Sequence, residues 1–206
     1  LEQDGEWHCE YDADGNLTER YLGTGRWLDG KKDRWRYRWN ADGSLAKVVR
    51  PDKREVEFTY DALGRRLSKS FGTTVMRWVW NGNVPLHQWK QHREYSVVED
   101  RWNTDTERRD MTVWLFDEES FVPVAMIKEG RSYSILTDQL GAPTEAYDAE
   151  GNEVWSRVLD MDGNVIEETG NKGMVPFLFQ GQYYDRETGL AYNRFRYLSL
   201  IHISEP

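Results

Sequence analysis

A short unit returns at intervals along this chain: an aromatic residue, Asp or Asn, two residues, Gly, one residue, then an apolar residue. It reads Tyr11-Asp12-Ala13-Asp14-Gly15-Asn16-Leu17 near the start and returns as Trp39-Asn40-Ala41-Asp42-Gly43-Ser44-Leu45. A third copy is Tyr60-Asp61-Ala62-Leu63-Gly64-Arg65-Arg66-Leu67, where Arg66 reads as one extra residue before the leucine. Another is Tyr147-Asp148-Ala149-Glu150-Gly151-Asn152-Glu153-Val154. A looser copy lies at Leu159-Asp160-Met161-Asp162-Gly163-Asn164-Val165, and a final variant at Tyr184-Asp185-Arg186-Glu187-Thr188-Gly189-Leu190. Such self-similarity predicts repeated supersecondary units, each stacked on its neighbours.

The chemistry of the unit is that of a β-hairpin corner. The aromatic residue ends a strand, and the Asp or Asn side chain accepts hydrogen bonds from the turn backbone ahead of it. Gly takes positive φ without a steric cost. The apolar residue then restarts the inward pattern. Alternation on either side agrees. Trp35, Tyr37 and Trp39 point one way and Arg36 and Arg38 the other, with Val56, Phe58 and Tyr60 set against Glu55, Glu57 and Thr59. Met76, Trp78 and Trp80 likewise oppose Val75, Arg77 and Val79. A period of two is that of a half-buried strand, and Trp80-Asn81-Gly82-Asn83 supplies a hairpin turn. Helical patterning is thin everywhere: Glu119–Lys128 is broken by Pro123, and Thr137–Gly141 holds one short turn at most. The expected fold is all-β, stacked antiparallel hairpins in a curved ribbon or part of a hollow shell.

Spacing divides the chain. The first three copies lie 28 and 21 residues apart, and the longer interval holds the polar, Gly-rich stretch Gly23–Asp33, an insertion in one loop. Residues 1–98 read as hairpin repeats, 99–109 as a charged connection, and 110–197 as a less regular β region. Ten Trp, 11 Tyr and 7 Phe supply rings for the inward faces, with Trp89 and Trp102 the candidates for exposure. The net charge of -9 argues against a general nucleic-acid binder, and no apolar run approaches the ~20 residues of a membrane-spanning helix. Leu1–Glu10 is acidic and polar, without a signal-peptide pattern. The lone Cys9 excludes an internal disulfide framework.

Candidate chemistry is sparse. Asp12, Asp61, Asp148 and Asp185 recur at one repeat position, as turn-bracing residues do. Catalytic carboxylates would instead be paired across a cleft. A calcium loop begun at Asp12 or Asp160 would need a bidentate acid where Gly23 or Asn171 stands. His8, His87, His92 and His202 have no ligand spacing, and no Gly-x-Ser-x-Gly elbow occurs. No cofactor or metal is expected. The predicted structural turn residues are Tyr11, Asp12, Gly15, Trp39, Asn40, Gly43, Tyr60, Asp61, Gly64, Tyr147, Asp148, Gly151, Tyr184, Asp185 and Gly189.

The aromatic-Asp-x-x-Gly units resemble those of the Rhs/YD-repeat family. The later region is similar to that family's core, most specifically from Phe179-Gln180-Gly181-Gln182-Tyr183-Tyr184-Asp185 through Leu190-Ala191-Tyr192-Asn193-Arg194-Phe195-Arg196-Tyr197. Trp114-Leu115-Phe116, Ser120–Pro123 and Thr137–Thr144 add to it, so that the resemblance covers roughly residues 11–197. It implies a bacterial protein, secreted or at the cell surface. Repeats in such proteins wind into a hollow β-shell around a C-terminal toxin domain. The implied partners are the remainder of the same polypeptide and secretion-system or immunity proteins. Gly181, Tyr192, Asn193, Arg194, Arg196 and Tyr197 would close the core. Many members also carry an aspartyl autoprotease there, built on an Asp-Pro-x-Gly-Leu motif. After Tyr197 this chain departs from that pattern: residues 198–206 lack the expected aspartates and resemble a translated sequencing adapter. The expectation is therefore an internal piece of a shell, without enzymatic turnover. The alternatives are a surface adhesion or carbohydrate-binding module, or a non-catalytic part of an autoprotease.

Overall fold

The computed structural model describes residues 6–23, 32–193 and 196–199, and these form strands and turns with no helix. The strands are β1 (Glu6–Tyr11), β2 (Leu17–Gly23), β3 (Lys32–Trp39), β4 (Leu45–Val49), β5 (Glu55–Tyr60), β6 (Arg66–Phe71), β7 (Thr74–Asn81), β8 (Val84–Ser96) and β9 (Arg101–Thr104). They continue with β10 (Arg109–Phe116), β11 (Pro123–Lys128), β12 (Arg131–Thr137), β13 (Pro143–Tyr147), β14 (Glu153–Leu159) and β15 (Val165–Gly170). A separate small sheet contains β16 (Tyr183–Asp185), β17 (Leu190–Asn193) and β18 (Arg196–Ser199).

β1 to β8 and β10 to β15 lie side by side in chain order, every neighbouring pair antiparallel. The expected ribbon of stacked hairpins is thus observed. The natural twist between strands curves it, and β1 and β15 do not meet to close it. β8 pairs directly with β10 (Gln88 with Thr112, His87 with Val113), so the sheet runs unbroken past the 99–109 connection. That connection contains β9, which pairs with Arg93–Ser96 of β8 as a short side hairpin. The Gly23–Asp33 insertion joins the paired strands β2 and β3, and its residues 24–31 lie outside the described residues.

The repeat turns share one construction. Asp12 N–H donates to Asn16 O at 2.9 Å and Gly15 N–H to Asp12 O at 3.1 Å, and the same two bonds recur at Asn40, Asp61, Asp148 and Asp160. Gly15, Gly43, Gly64 and Gly151 sit at φ +83°, +80°, +73° and +85°, a conformation that costs a residue with a Cβ ~1–2 kcal/mol. Each turn places a β-bulge at its aromatic residue. The register pairs Tyr11 with Leu17, Trp39 with Leu45 and Tyr60 with Arg66. Arg66 is therefore not an extra residue. It occupies the inward place that leucine holds in the first two copies, and Leu67 turns to the opposite face, 38% exposed.

The chain after β15 folds back over one face of the sheet. Trp78, Trp114, Met126, Ile135, Ala146 and Trp155, from six strands, bury there with Met174, Val175, Phe177, Tyr183 and Tyr192 of the C-terminal segment. A second cluster joins Tyr37, Leu45, Val48, Val56 and Phe58 to Leu190. Burial of such side chains contributes roughly 1.5–3 kcal/mol each. The inward rings of β3, β5 and β7 match the alternation, but Tyr11, near the open end of the ribbon, is 62% exposed. Trp89 is buried rather than exposed, with the Arg108 guanidinium 4.8 Å from its ring centroid. Trp102 is exposed as expected, in a T-shaped pair with Tyr95, with Arg93 over its face at 4.3 Å.

Candidate functional site

The recurring acids remain apart. Asp12 Oδ1 accepts from the N–H groups of Asp14 (3.0 Å) and Asn16 (2.8 Å) within its own turn. Asp61 does so with Leu63 and Arg65, Asp148 with Glu150 and Asn152, and Asp160 with Asp162 and Asn164. Hydrogen bonds from Asn16, Asn152 and Asn164 hold the carboxyls of Asp12, Asp148 and Asp160 below the ordinary Asp value. At Asn40 the role passes two residues on: Asp42 accepts the Ser44 N–H at 2.9 Å, while the Asn40 amide donates to Ser44 Oγ. Among the described residues no group of three His, Cys, Asp or Glu side chains is placed to hold a metal ion.

Asp185 behaves differently, in a variant of the motif whose glycine stands four residues after the acid instead of three. Its bend is held by its backbone carbonyl, which accepts from Thr188 N–H at 3.0 Å and Gly189 N–H at 2.8 Å. Its carboxylate is fully buried and turned into the sheet. There Oδ2 accepts from Arg66 Nη1, and Oδ1 accepts from Lys69 Nζ at 2.9 Å. Lys69 also donates to Glu187 Oε2 at 2.7 Å. The Arg66 guanidinium stands 4.3 Å from the Trp78 ring centroid, 4.5 Å from Tyr192 and 5.0 Å from Tyr183. A desolvated cation among aromatic faces is favourably placed.

Hydroxyl groups complete the network. Tyr60 OH donates to Leu45 O at 2.8 Å, so at 2.8 Å it accepts from Tyr197 OH. Tyr192 OH accepts the Arg66 backbone N–H at 3.0 Å and donates to Gly64 O at 3.2 Å. Burial opposes the charge on Lys69, but Asp185 and Glu187 outweigh it and keep the ammonium above its ordinary value. Burial pushes the Tyr183 phenol up to about 12, and it raises Tyr60 and Tyr197 as well. Chemically the arrangement is a clamp: Asp185, at the end of β16, meets two cations that both stand on β6, and so fastens the C-terminal segment to the sheet.

The predicted core-closing residues converge on this clamp in part. Tyr192 and Asn193 lie on β17, and Tyr197 lies on β18. Gly181, at φ +77°, would set a Cβ 3.4 Å from Asn193 Oδ1. Arg194, Phe195 and the Arg196 side chain lie outside the described residues. Beside these residues Trp80, Pro85, Phe116, Phe121, Phe177 and Tyr183 line an aromatic cleft of about 230 Å³. Sequence reasoning missed Arg66 and Lys69. The available signal was the arginine at a leucine position in the third repeat, recognisable once the repeat is aligned by its glycine.

A family model described as Teneurin YD-shell matches residues 2–197. The toxin protein Tse5 of Pseudomonas aeruginosa is 30% identical, over 91% of this chain and 15% of that protein. The double-stranded DNA deaminase toxin A of Burkholderia cenocepacia is 29% identical, over 91% of this chain and 14% of its own length. The chain thus spans about a seventh of the curated relatives it matches. A structure of the Photorhabdus luminescens Tc holotoxin pore aligns over 94% of this chain and 8% of its own, at 14% identity and a TM-score of 0.41. Extending over nearly every residue from the first repeat to Tyr197, the family match establishes that this chain belongs to the Teneurin YD-shell family.

Proposed function

We propose that this chain is a stretch of wall and inner lining of a hollow β-shell that encloses a toxin domain carried on the same polypeptide. It turns over no substrate itself. The observation that carries this reading is the single unbroken sheet whose inner face is sealed by the chain's own C-terminal segment. Containment is then mechanical: a wall of antiparallel strands has no unpaired edge except at its ends, so an enclosed domain cannot reach its target. The partners are the rest of the polypeptide and the secretion or immunity proteins that handle it, and the location is extracellular or cell-surface. Relatives named as toxins support the assignment.

Protease protection tests this. The gene is expressed with the coding sequence that follows Tyr197 in the genome, and the downstream domain is followed through a trypsin time course. The domain should resist digestion while joined to the shell, and lose that resistance when Asp185→Ala loosens the lining. Digestion at the rate of the isolated domain, with the shell intact, would refute containment.

A further inference from the structure

Arg157, on β14, is 6% exposed, yet no carboxylate among the described residues pairs with it. Its Nη atoms donate to three backbone carbonyls: Pro143 O at 3.1 Å, Val175 O at 3.3 Å and Phe177 O. Its Nε is buried without an acceptor. Carbonyl dipoles satisfy N–H groups, but they do not neutralise a formal charge, and a buried unpaired cation is costly. Burial draws its pKa down to about 10, Glu168 opposes that shift, and Arg186 adds to it.

A cavity of about 120 Å³ opens beside this guanidinium, between the sheet and the C-terminal segment. Arg157, Lys69, Arg186, Glu187 and Tyr184 are among its walls. The charge there does not balance. Lys69 is shared between Asp185 and Glu187, Arg66 is bound to Asp185, and Arg186 is bound to Glu168. Four cations therefore face three carboxylates, and the surplus charge is that of Arg157. The space is large enough for one small oxyanion. Gly173 also lines it, at a point where a Cβ would lie 3.0 Å from the Arg186 guanidinium carbon.

We infer that this cavity is a binding site for a single oxyanion, a carboxylate or phosphate group, held by Arg157 and Arg186 with Lys69 at its inner wall. Such a group restores neutrality at the seam between sheet and lining, and so ties the stability of the lining to the presence of the anion. A carboxylate would come from an acidic side chain of another segment or protein, and a phosphate from solution.

The test titrates inorganic phosphate, and separately N-acetylaspartate, into the 206-residue chain at fixed ionic strength, reading thermal unfolding by Trp fluorescence. A saturable rise in melting temperature is expected with at least one of them. The tighter-binding anion identifies the source. Arg186→Gln alters a half-exposed side chain and should fold; it should raise the half-saturating concentration on the order of tenfold. Arg157→Met should abolish saturation. If neither anion gives a saturable rise, or if Arg186→Gln leaves the curve unchanged, the site is refuted. That outcome leaves the containment reading untouched, because trypsin protection does not depend on it.

Discussion

Replacing Asp185 with alanine leaves two cations without the anion they share. The Arg66 and Lys69 side chains are 1% and 8% exposed, so neither reaches water unless the C-terminal segment lifts from the sheet. At an effective dielectric of ~20, the gross attraction across the 2.9 Å Lys69–Asp185 contact is about 6 kcal/mol. Desolvation of the ions cancels several kcal/mol of that, but the variant still has two cations to keep desolvated. The expected loss is about 3–5 kcal/mol, a large part of the ~5–15 kcal/mol that holds a domain folded. Urea unfolding followed by Trp fluorescence measures it, and the melting temperature should fall by roughly 6–20 °C. Arg66→Leu is the informative partner. It restores the residue that Leu17 and Leu45 represent in the earlier repeats, and Asp185 keeps Lys69, so its own cost should be smaller. In the Arg66→Leu background, Asp185→Ala should cost less than it does alone. A loss below ~1 kcal/mol for Asp185→Ala alone, or strict additivity of the two changes, would show that the clamp does not hold the lining.

Gly15→Ala meets open space at φ +83°, whereas a Cβ at Gly170, φ +64°, would lie 2.2 Å from Val154 O. The first should lose only the ~1–2 kcal/mol of backbone strain, the second clearly more, and equal urea midpoints would contradict this. Asp52 is held at about 2, chiefly by its hydrogen bond from Arg54. Its depressed value makes a stabilising contribution that is present above pH 3.8 and lost as pH falls toward 2; Asp52→Asn should flatten that part of an acid unfolding curve. Tyr183, raised by burial to about 12, stabilises the fold in full below pH 10, and the contribution fades as pH rises through 12. Tyr183→Phe should blunt the alkaline loss, and an unchanged curve would refute the assignment.

Much of the scaffold was readable because its chemistry is local. An Asp that binds the N–H groups two and four residues ahead, followed by Gly at positive φ, is complete within one turn, as at Asp12, Asp61 and Asp148. Two further turns of the same build escaped the motif because their residues differ. At Arg50–Arg54 the left-handed place is filled by Lys53, at φ +65°, and at Asp138–Ala142 the aromatic is absent. Arg66 was misplaced by counting to the next leucine, when the bulge at Tyr60 sets the register. The burial of Trp89 is not legible either, since it meets Arg108 of a connection whose path the pattern does not show.

The sequence by itself determined the strands, their corners and the faces on which most rings sit. Those properties rest on contacts within a few residues and on the two-residue period of an extended chain. The tertiary structure alone decided what Asp185 does. Its motif sets the glycine one residue further from the acid than the other turns do, but that spacing does not say that its carboxylate meets Arg66 across 119 residues of chain. That meeting happens only because the segment after β15 folds back across the sheet. Burial there withdraws water from both ions, and no local pattern records which distant partner will replace it.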